Sequence, residues 1–239
     1  MKKLFLILSV VLVAGCIANA QEKTYMNVRQ ANGDNKSYEV TADLKVTWGA
    51  KTEKDENKEV GHRYVDLGLP SGLRWAACNI GAEEPWEYGH YYTWGELGVK
   101  ENYSLSTYTY KDDPEVLPMD KDVAHLSWRG YWRMPTREEV KELMENCTWT
   151  FERNYHGVHG YIVKGPNGNS IFLPAGGLRN GLNQVLDNEY GYFWTSNIIH
   201  QANDRGWILR FDYTSYDRLD ELRHYGLSVR PVFPKHDDE

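Results

Sequence analysis

Trp132-Arg133-Met134-Pro135-Thr136-Arg137-Glu138-Glu139-Val140-Lys141-Glu142-Leu143-Met144 is the stretch from which the fold is read most directly. Thr136 follows Pro135, and Thr136 with Glu139 three residues on is the pattern of an N-terminal capping box. Val140, Leu143 and Met144 fall at i, i+3 and i+4, so the spacing predicts a helix over Arg137–Asn146 with one apolar face. That stripe belongs to a core and not to a site.

Beyond the helix the chain turns β-rich. Tyr161–Lys164 and Ser170–Leu173 flank Asn167-Gly168, a strong short-range hairpin signal, and their nearly continuous apolar runs suit strands covered on both faces. Gly191–Thr195, Gly206–Asp212 and Leu227–Phe233 read as closing strands, separated by polar loops rich in Asn, Asp, Arg and Tyr. On the other side of the helix, Arg63–Gly68 and Leu73–Ile80 around the Pro70-Ser71-Gly72 turn predict a further hairpin. Gly81–Lys121 has few regular periods and many Tyr and Trp residues; so long an irregular stretch is either functional or packed by its own side chains. The prediction is an α+β domain over about residues 61–234 with a mixed antiparallel sheet, one clear helix, long irregular loops and a polar tail at 235–239.

The N-terminal part divides differently. Thr24–Gln30 alternates in strand fashion, Ala31–Asn35 is turn-rich, and Ser37–Val40 and Leu44–Trp48 read as further strands of a small β segment within 21–50. Residues 51–60 are mostly charged or polar and read as a linker. Ahead of these, Lys2 and Lys3 precede an apolar run from Leu4 to Val13 and then small residues, the pattern of an export signal over 1–20. Ala18-Asn19-Ala20 points to cleavage before Gln21. Leu12-Val13-Ala14-Gly15-Cys16 resembles a lipobox, with cleavage before a lipidated Cys16. The run is shorter than the roughly 20 apolar residues of a spanning helix. Both routes end outside the cytoplasm, in an outer-membrane lipoprotein or cell-surface protein on one route and a periplasmic or secreted one on the other.

Hydrophobic residues make up 41% of the chain and aromatics 13%, enough to fill a core and to argue against wholesale disorder. The formal net charge of −7 grows more negative once Lys2 and Lys3 are lost, and with no basic stripe the chain is a poor nucleic-acid binder. With Cys16 removed or lipidated, Cys78 and Cys147 remain as an even pair in an oxidising compartment. Bonded, they would close a loop of roughly 70 residues and stabilise by about 3–4 kcal/mol; unbonded, they would behave as small buried hydrophobes.

Five segments resemble one family. Tyr64-Val65-Asp66-Leu67-Gly68-Leu69-Pro70-Ser71-Gly72-Leu73-Arg74-Trp75-Ala76, Trp94-Gly95-Glu96, Trp132-Arg133-Met134-Pro135-Thr136, Gly165–Ala175 and Gly226-Leu227-Ser228-Val229-Arg230-Pro231-Val232 are similar, in that order, to the Fibrobacter succinogenes major paralogous domain of exported Bacteroidetes proteins. The resemblance covers about residues 61–234. It implies a C-type-lectin-like fold, distantly similar to formylglycine-generating enzymes and to the variable ligand-binding proteins of diversity-generating retroelements. The departures count too. No cysteine follows Cys147, so the copper-holding pair of the formylglycine-generating enzymes is missing, and the Glu-Pro-Asn, Gln-Pro-Asp and Trp-Asn-Asp triplets of calcium-dependent lectins do not occur.

Catalytic patterns are likewise missing: there is no Gly-x-Ser-x-Gly, Walker loop or His-Glu-x-x-His. His156 and His159 sit at an expected hairpin bend, Asp187 and Glu189 are two apart, and Asp217, Asp220 and Glu221 match no calcium loop. Each reads as a solvated turn or charge cluster, so no catalytic residue, metal or cofactor is expected. The aromatics are more informative, because nine Trp and 17 Tyr exceed what the core needs even with Trp75, Trp132, Trp194 and Trp207 inside it. Surplus rings in polar loops can stack on sugars or anchor a partner. The candidate ligand-binding residues are Arg179, Asn180, Asn183, Tyr190, Tyr192, Asn197, Arg205, Tyr213, Tyr216 and Arg223, set against the alternative that they pack the loops together. The expected function is a binding protein of the cell envelope for a glycan or protein ligand, touching membrane only through a lipid anchor. A structural or adhesive envelope component, and an enzyme of unrecognised type on a formylglycine-generating-enzyme-like fold, are the alternatives.

Overall fold

The computed structural model describes residues 24–29, 35–40, 58–200 and 202–235. It divides into two compact units, Met1–Glu53 and Lys54–Glu239. In the first, β1 (Thr24–Arg29) and β2 (Asn35–Val40) pair antiparallel from Thr24–Val40 to Arg29–Asn35. The export segment with Cys16, the strand expected at Leu44–Trp48, linker residues 51–57 and tail residues 236–239 lie outside the described residues.

The second unit runs β3 (Lys58–Glu59), β4 (His62–Asp66), β5 (Arg74–Ala76), α1 (Val123–Trp128), α2 (Arg137–Asn146), β6 (Thr148–Tyr155), β7 (Val158–Lys164), β8 (Ser170–Pro174), β9 (Leu178–Asn180), β10 (Asn183–Val185), β11 (Gly191–Ile198), β12 (Arg205–Phe211), β13 (Tyr216–Leu222) and β14 (Val232–Phe233). Its ladders are antiparallel and form the sheets β14-β5-β4-β3, β6-β7-β8 and β11-β12-β13, with β9-β10 as a separate hairpin. The architecture is therefore α+β, mostly antiparallel strand with few helices. The last strand returns to the first ones: β14 pairs with β5, and Arg133 exchanges both backbone hydrogen bonds with Val232 at 3.0 and 2.9 Å.

Helix α2 has the predicted bounds because its signals are local. The Thr136 hydroxyl accepts from the Glu139 amide at 3.2 Å and the Glu139 carboxylate accepts from the Thr136 amide at 2.7 Å, a reciprocal cap worth about 1 kcal/mol. Val140 and Leu143 are buried, and Met144 packs beside them. Burial alone would raise the Glu139 carboxyl, but the Arg133 guanidinium on both its oxygens and the Thr136 cap hold it below the usual range.

Two hydrophobic cores lie on opposite faces of β11. Tyr192 and Trp194 enter one with Trp94, Tyr108, Trp132, Ile208 and Phe233, while Phe193 enters the other with Trp75, Val140, Leu143, Tyr161, Leu209 and Phe211. Side chains of a strand alternate between faces, so a strand covered on both sides reads as the unbroken Tyr192-Phe193-Trp194. The same division runs through β5, β12 and β14, whose neighbours Trp75 and Ala76, Ile208 and Leu209, and Val232 and Phe233 part to opposite cores. Arg230 crosses between layers, donating to Asn79 Oδ1 at 2.8 Å and to the carbonyls of Ala76, Ala77 and Phe172 at 3.0–3.2 Å. Its complete burial lowers the guanidinium to about 10.

Of the two alternatives left open for Cys78 and Cys147, the structure has free thiols; Cys78 is buried against the Arg63 guanidinium at 3.6 Å, and burial pushes both thiols up. Several expectations change. Trp207 is half-buried and not core, because β12 turns it toward Arg137, whose guanidinium lies 3.9 Å from the ring centroid. The larger unit includes Lys58 and Glu59 as strand β3, ahead of the expected start at residue 61, and the Glu59 carbonyl accepts from Trp132 Nε1 at 2.9 Å. Strand structure at Leu73–Ile80 shrinks to Arg74–Ala76, and at Leu227–Phe233 to Val232–Phe233, with Leu227 and Ser228 in isolated bridges. The Asn167-Gly168 turn lies within a longer loop closed by Gly165 N to Asn169 O at 2.8 Å. Helix α1, capped by the Asp122 carboxylate, and strands β6, β9, β10 and β13 are additions.

Gly81–Lys121 contains no strand, yet it is firmly tied. Tyr92 exchanges two backbone bonds with Leu227, Tyr103 two with Gly181, and Leu117 donates to Ser196. Its rings turn inward: Tyr91, Tyr92, Trp94, Tyr103, Tyr108 and Tyr110 are all buried. Tyr103 and Tyr108 each donate at 2.8 Å to the carbonyls of Tyr91 and Trp94, so their polar tips are satisfied inside.

Candidate functional site

Strand parity builds the candidate site. On β6, Trp149, Phe151 and Arg153 share a face, and across the ladder they meet Val163, Tyr161 and, one step further along β7, His159. Trp149 and Tyr161 pack into the second core, while Phe151 forms its edge, 5.1 Å from the Tyr161 ring centroid. Arg153 and His159 lie past that edge. There they meet Asn188, Glu189 and Tyr190, which precede β11, and Asp212 and Tyr213, which follow β12, and with Phe151 these residues line a groove of about 280 Å³.

Two turns hold the groove. In the first, one oxygen of the Asp212 carboxylate accepts from the amides of Thr214 and Ser215 at 2.7 and 3.0 Å and from the Thr214 hydroxyl. The Thr214 hydroxyl and these amides keep the carboxyl below the usual aspartate range. The Asp212 amide donates to the Ser215 carbonyl at 2.9 Å, and this tight loop presents Tyr213 with 63% of its surface exposed. The second turn is strained: Leu186 and Asn188 sit at φ of 61° and 59°. Asn tolerates that region; for Leu it costs about 1–2 kcal/mol. Gly177 lets this turn approach closely, since a Cβ there would fall 2.1 Å from the Val185 carbonyl oxygen. Asn188 is held from three sides, by its amide to Ala175 O at 2.7 Å, by Tyr88 Oη at 3.0 Å and by His159 Nδ1 at 2.7 Å.

The groove combines three rings with separated charges. The Arg153 guanidinium stands 5.9 Å from the Phe151 centroid and 5.5 Å from that of Tyr213, and Arg210 stands 5.1 Å from Tyr190. Among the described residues neither arginine makes an ion pair. Flat apolar faces beside unpaired donors and the acceptors of Glu189 and Asp212 suit a small ring that carries hydroxyls.

Of the ten sequence candidates, Tyr190 and Tyr213 line the groove. Tyr192 is internal, 6% exposed in the first core, because β11 turns it inward. Arg223 is also internal: it binds Asp113 Oδ1 at 2.8 Å and the carbonyls of Asn203 and Asp112 at 2.6 and 2.8 Å, and lies over Trp94. Tyr216 stacks on Trp149 at 4.4 Å. Asn197 has a structural task, accepting from the Arg137 amide at 2.7 Å at the start of α2. Arg205 is paired with Asp220 and, at 3.7 Å, Glu221. Arg179 bonds through its backbone to Gly226 and lies 5.3 Å from the Tyr91 centroid; Asn180 and Asn183 are exposed on the β9-β10 hairpin.

Sequence reasoning passed over Phe151, Arg153, Asn188 and Asp212, and treated His159 and Glu189 as bend and charge cluster. The alternation Trp149-x-Phe151-x-Arg153 was the available signal. Asp217, Asp220 and Glu221 lie on β13, and among the described residues no group of three or more His, Cys, Asp or Glu is placed to hold a metal ion. On the other face of the β6-β7-β8 sheet, Val65, Ala77, Pro85, Tyr155, Ile162 and Phe172 line a smaller apolar cleft of about 120 Å³. Compared with models of protein families, with curated proteins and with solved structures, the chain has no significant match.

Proposed function

We propose that this chain is an exported binding module that presents the groove at Tyr213 to a glycan. The observation that carries the reading is the Tyr213 ring itself: 63% exposed, on a turn braced by Asp212, and facing Arg153 across the groove. An aromatic face left in water on an ordered support is a ready stacking platform for a pyranose. Export is supported by Lys2, Lys3, the apolar run that follows, and the two cleavage patterns before Cys16 and Gln21. The five motifs similar to the Fibrobacter succinogenes major paralogous domain support a C-type-lectin-like scaffold, which would use such loops for recognition.

A glycan-array screen of wild-type protein and Tyr213→Ala tests the binding claim. Saturable binding that falls at least tenfold in the variant, with unchanged thermal unfolding, is expected. Silence on the array, or binding indifferent to Tyr213, overturns it. Mass spectrometry of the mature N-terminus tests export: a chain beginning at lipidated Cys16 or at Gln21 is expected, and retention of the first twenty residues overturns it.

A further inference from the structure

The groove contains one ring whose protonation pattern its surroundings dictate. His159 Nδ1 lies 2.7 Å from the Asn188 carbonyl oxygen. A carbonyl can only accept, so Nδ1 carries the hydrogen, and in the neutral ring Nε2 is left with its lone pair. Nε2 has no hydrogen-bond partner among the described residues, on a side chain that lines the groove. The Nδ1 contact braces the Asn188 turn together with the His159 amide, which donates to Asn188 Oδ1 at 3.3 Å.

We propose that His159 is the specificity-determining acceptor of this groove, with Nε2 taking a hydrogen bond from a hydroxyl of a neutral saccharide stacked on Tyr213. The proposal rests on the glycan-binding reading above and adds the atom that selects the ligand. The charged groups around it are Arg153 from β6, Arg210 from β12 over the Tyr190 ring, Glu189 from the segment before β11 and Asp212 from the turn after β12; the Tyr190 and Tyr213 phenols complete the set. Arg153 can only donate.

Two substitutions separate recognition from bracing. His159→Asn can place its amide nitrogen near Nδ1, keeping the donor to Asn188 while removing the Nε2 acceptor. His159→Gln can place its amide oxygen near Nε2, keeping an acceptor there while giving up the donor to Asn188. Affinities for cellotetraose, mannotetraose, xylotetraose and chitotetraose are measured by calorimetry at pH 8, alongside Tyr213→Ala. For the tetrasaccharides that bind, we expect His159→Asn to be weakened several-fold to about tenfold, the scale of one hydrogen bond, and His159→Gln to bind more nearly as wild type does. Binding that is lost in Tyr213→Ala but unchanged in His159→Asn overturns this proposal and leaves the glycan reading standing. Failure of wild type to bind any of the four overturns both. Without ligand, ¹⁵N spectra of histidine-labelled protein at pH 8 should show the Nδ1–H tautomer for His159, and an Nε2–H tautomer overturns the proposal alone.

Discussion

Residues 81–121 and the groove around Tyr213 are both rich in aromatic side chains, yet they use them in opposite ways. In the irregular segment Trp94 is fully buried, and the hydroxyls of Tyr91, Tyr103 and Tyr108 end on backbone carbonyls. A chain without strands or long helices has many backbone groups to satisfy and few regular partners. Tyrosine answers both needs, filling volume with its ring and capping a carbonyl with its tip. Around the groove the rings stop at the edge of the core: Phe151 is half inside, and Tyr213 is outside. The aromatic surplus is thus mostly packing, and the few rings left over are the informative ones.

Substitutions should separate the two regions by their cost. Trp94→Ala should have the largest effect, about 3–5 kcal/mol of stability lost in urea unfolding, because a fully buried indole leaves a cavity. A loss below about 1 kcal/mol would break the claim that residues 81–121 are structural. Next comes Glu96→Gln. Burial acts to raise the Glu96 carboxyl, but Lys100, Thr109 and Thr93 bind it and bring it net below the usual glutamate range. A depressed folded value means a stabilisation present above the unfolded value, near pH 4.5, and lost as pH falls through the folded one. Glu96→Gln should cost about 2 kcal/mol at neutral pH and flatten this part of the acid limb, as pH-dependent unfolding would show.

Smaller effects sharpen the contrast. Tyr103→Phe removes a hydroxyl that donates to the Tyr91 carbonyl and accepts from the Lys100 amide, and should cost about 1–2 kcal/mol in the same unfolding assay. Tyr213→Ala should be the mildest, within about 0.5 kcal/mol of wild type in thermal unfolding, since it gives up little burial. Its consequence belongs to binding. A Tyr213→Ala protein that unfolds much more easily would mean that the groove, too, is packing.

Legibility in the sequence followed the range of the deciding interactions. Helix α2 could be read to the residue because Thr136, Glu139, Val140 and Leu143 lie within two turns of one another. Strands β11 and β12 showed as apolar runs because two cores cover them, and β7 and β8 because the second core covers one face and Ile162 and Phe172 line an apolar cleft on the other. Strand β13, Tyr216-Asp217-Arg218-Leu219-Asp220-Glu221-Leu222, resembled a charged loop, since an edge strand paired only with β12 needs no apolar period. In the site, Tyr190 and Tyr213 stood out as rings in polar loops. Tyr192 and Arg223 looked the same and proved internal, because a residue's own neighbours do not say which way its strand or loop faces.

The sequence by itself determined what short-range chemistry can: the α2 helix and its cap, the antiparallel α+β class, and an aromatic content larger than one core absorbs. Only the tertiary structure decided which rings meet water. Phe151, Arg153 and His159 join Tyr190 and Tyr213 across long stretches of chain, and they meet because β6 and β7 carry them past the edge of the second core. Exposure belongs to the packed whole. It depends on which strands pair and which face each turns inward, and no window of sequence around Tyr213 contains that information.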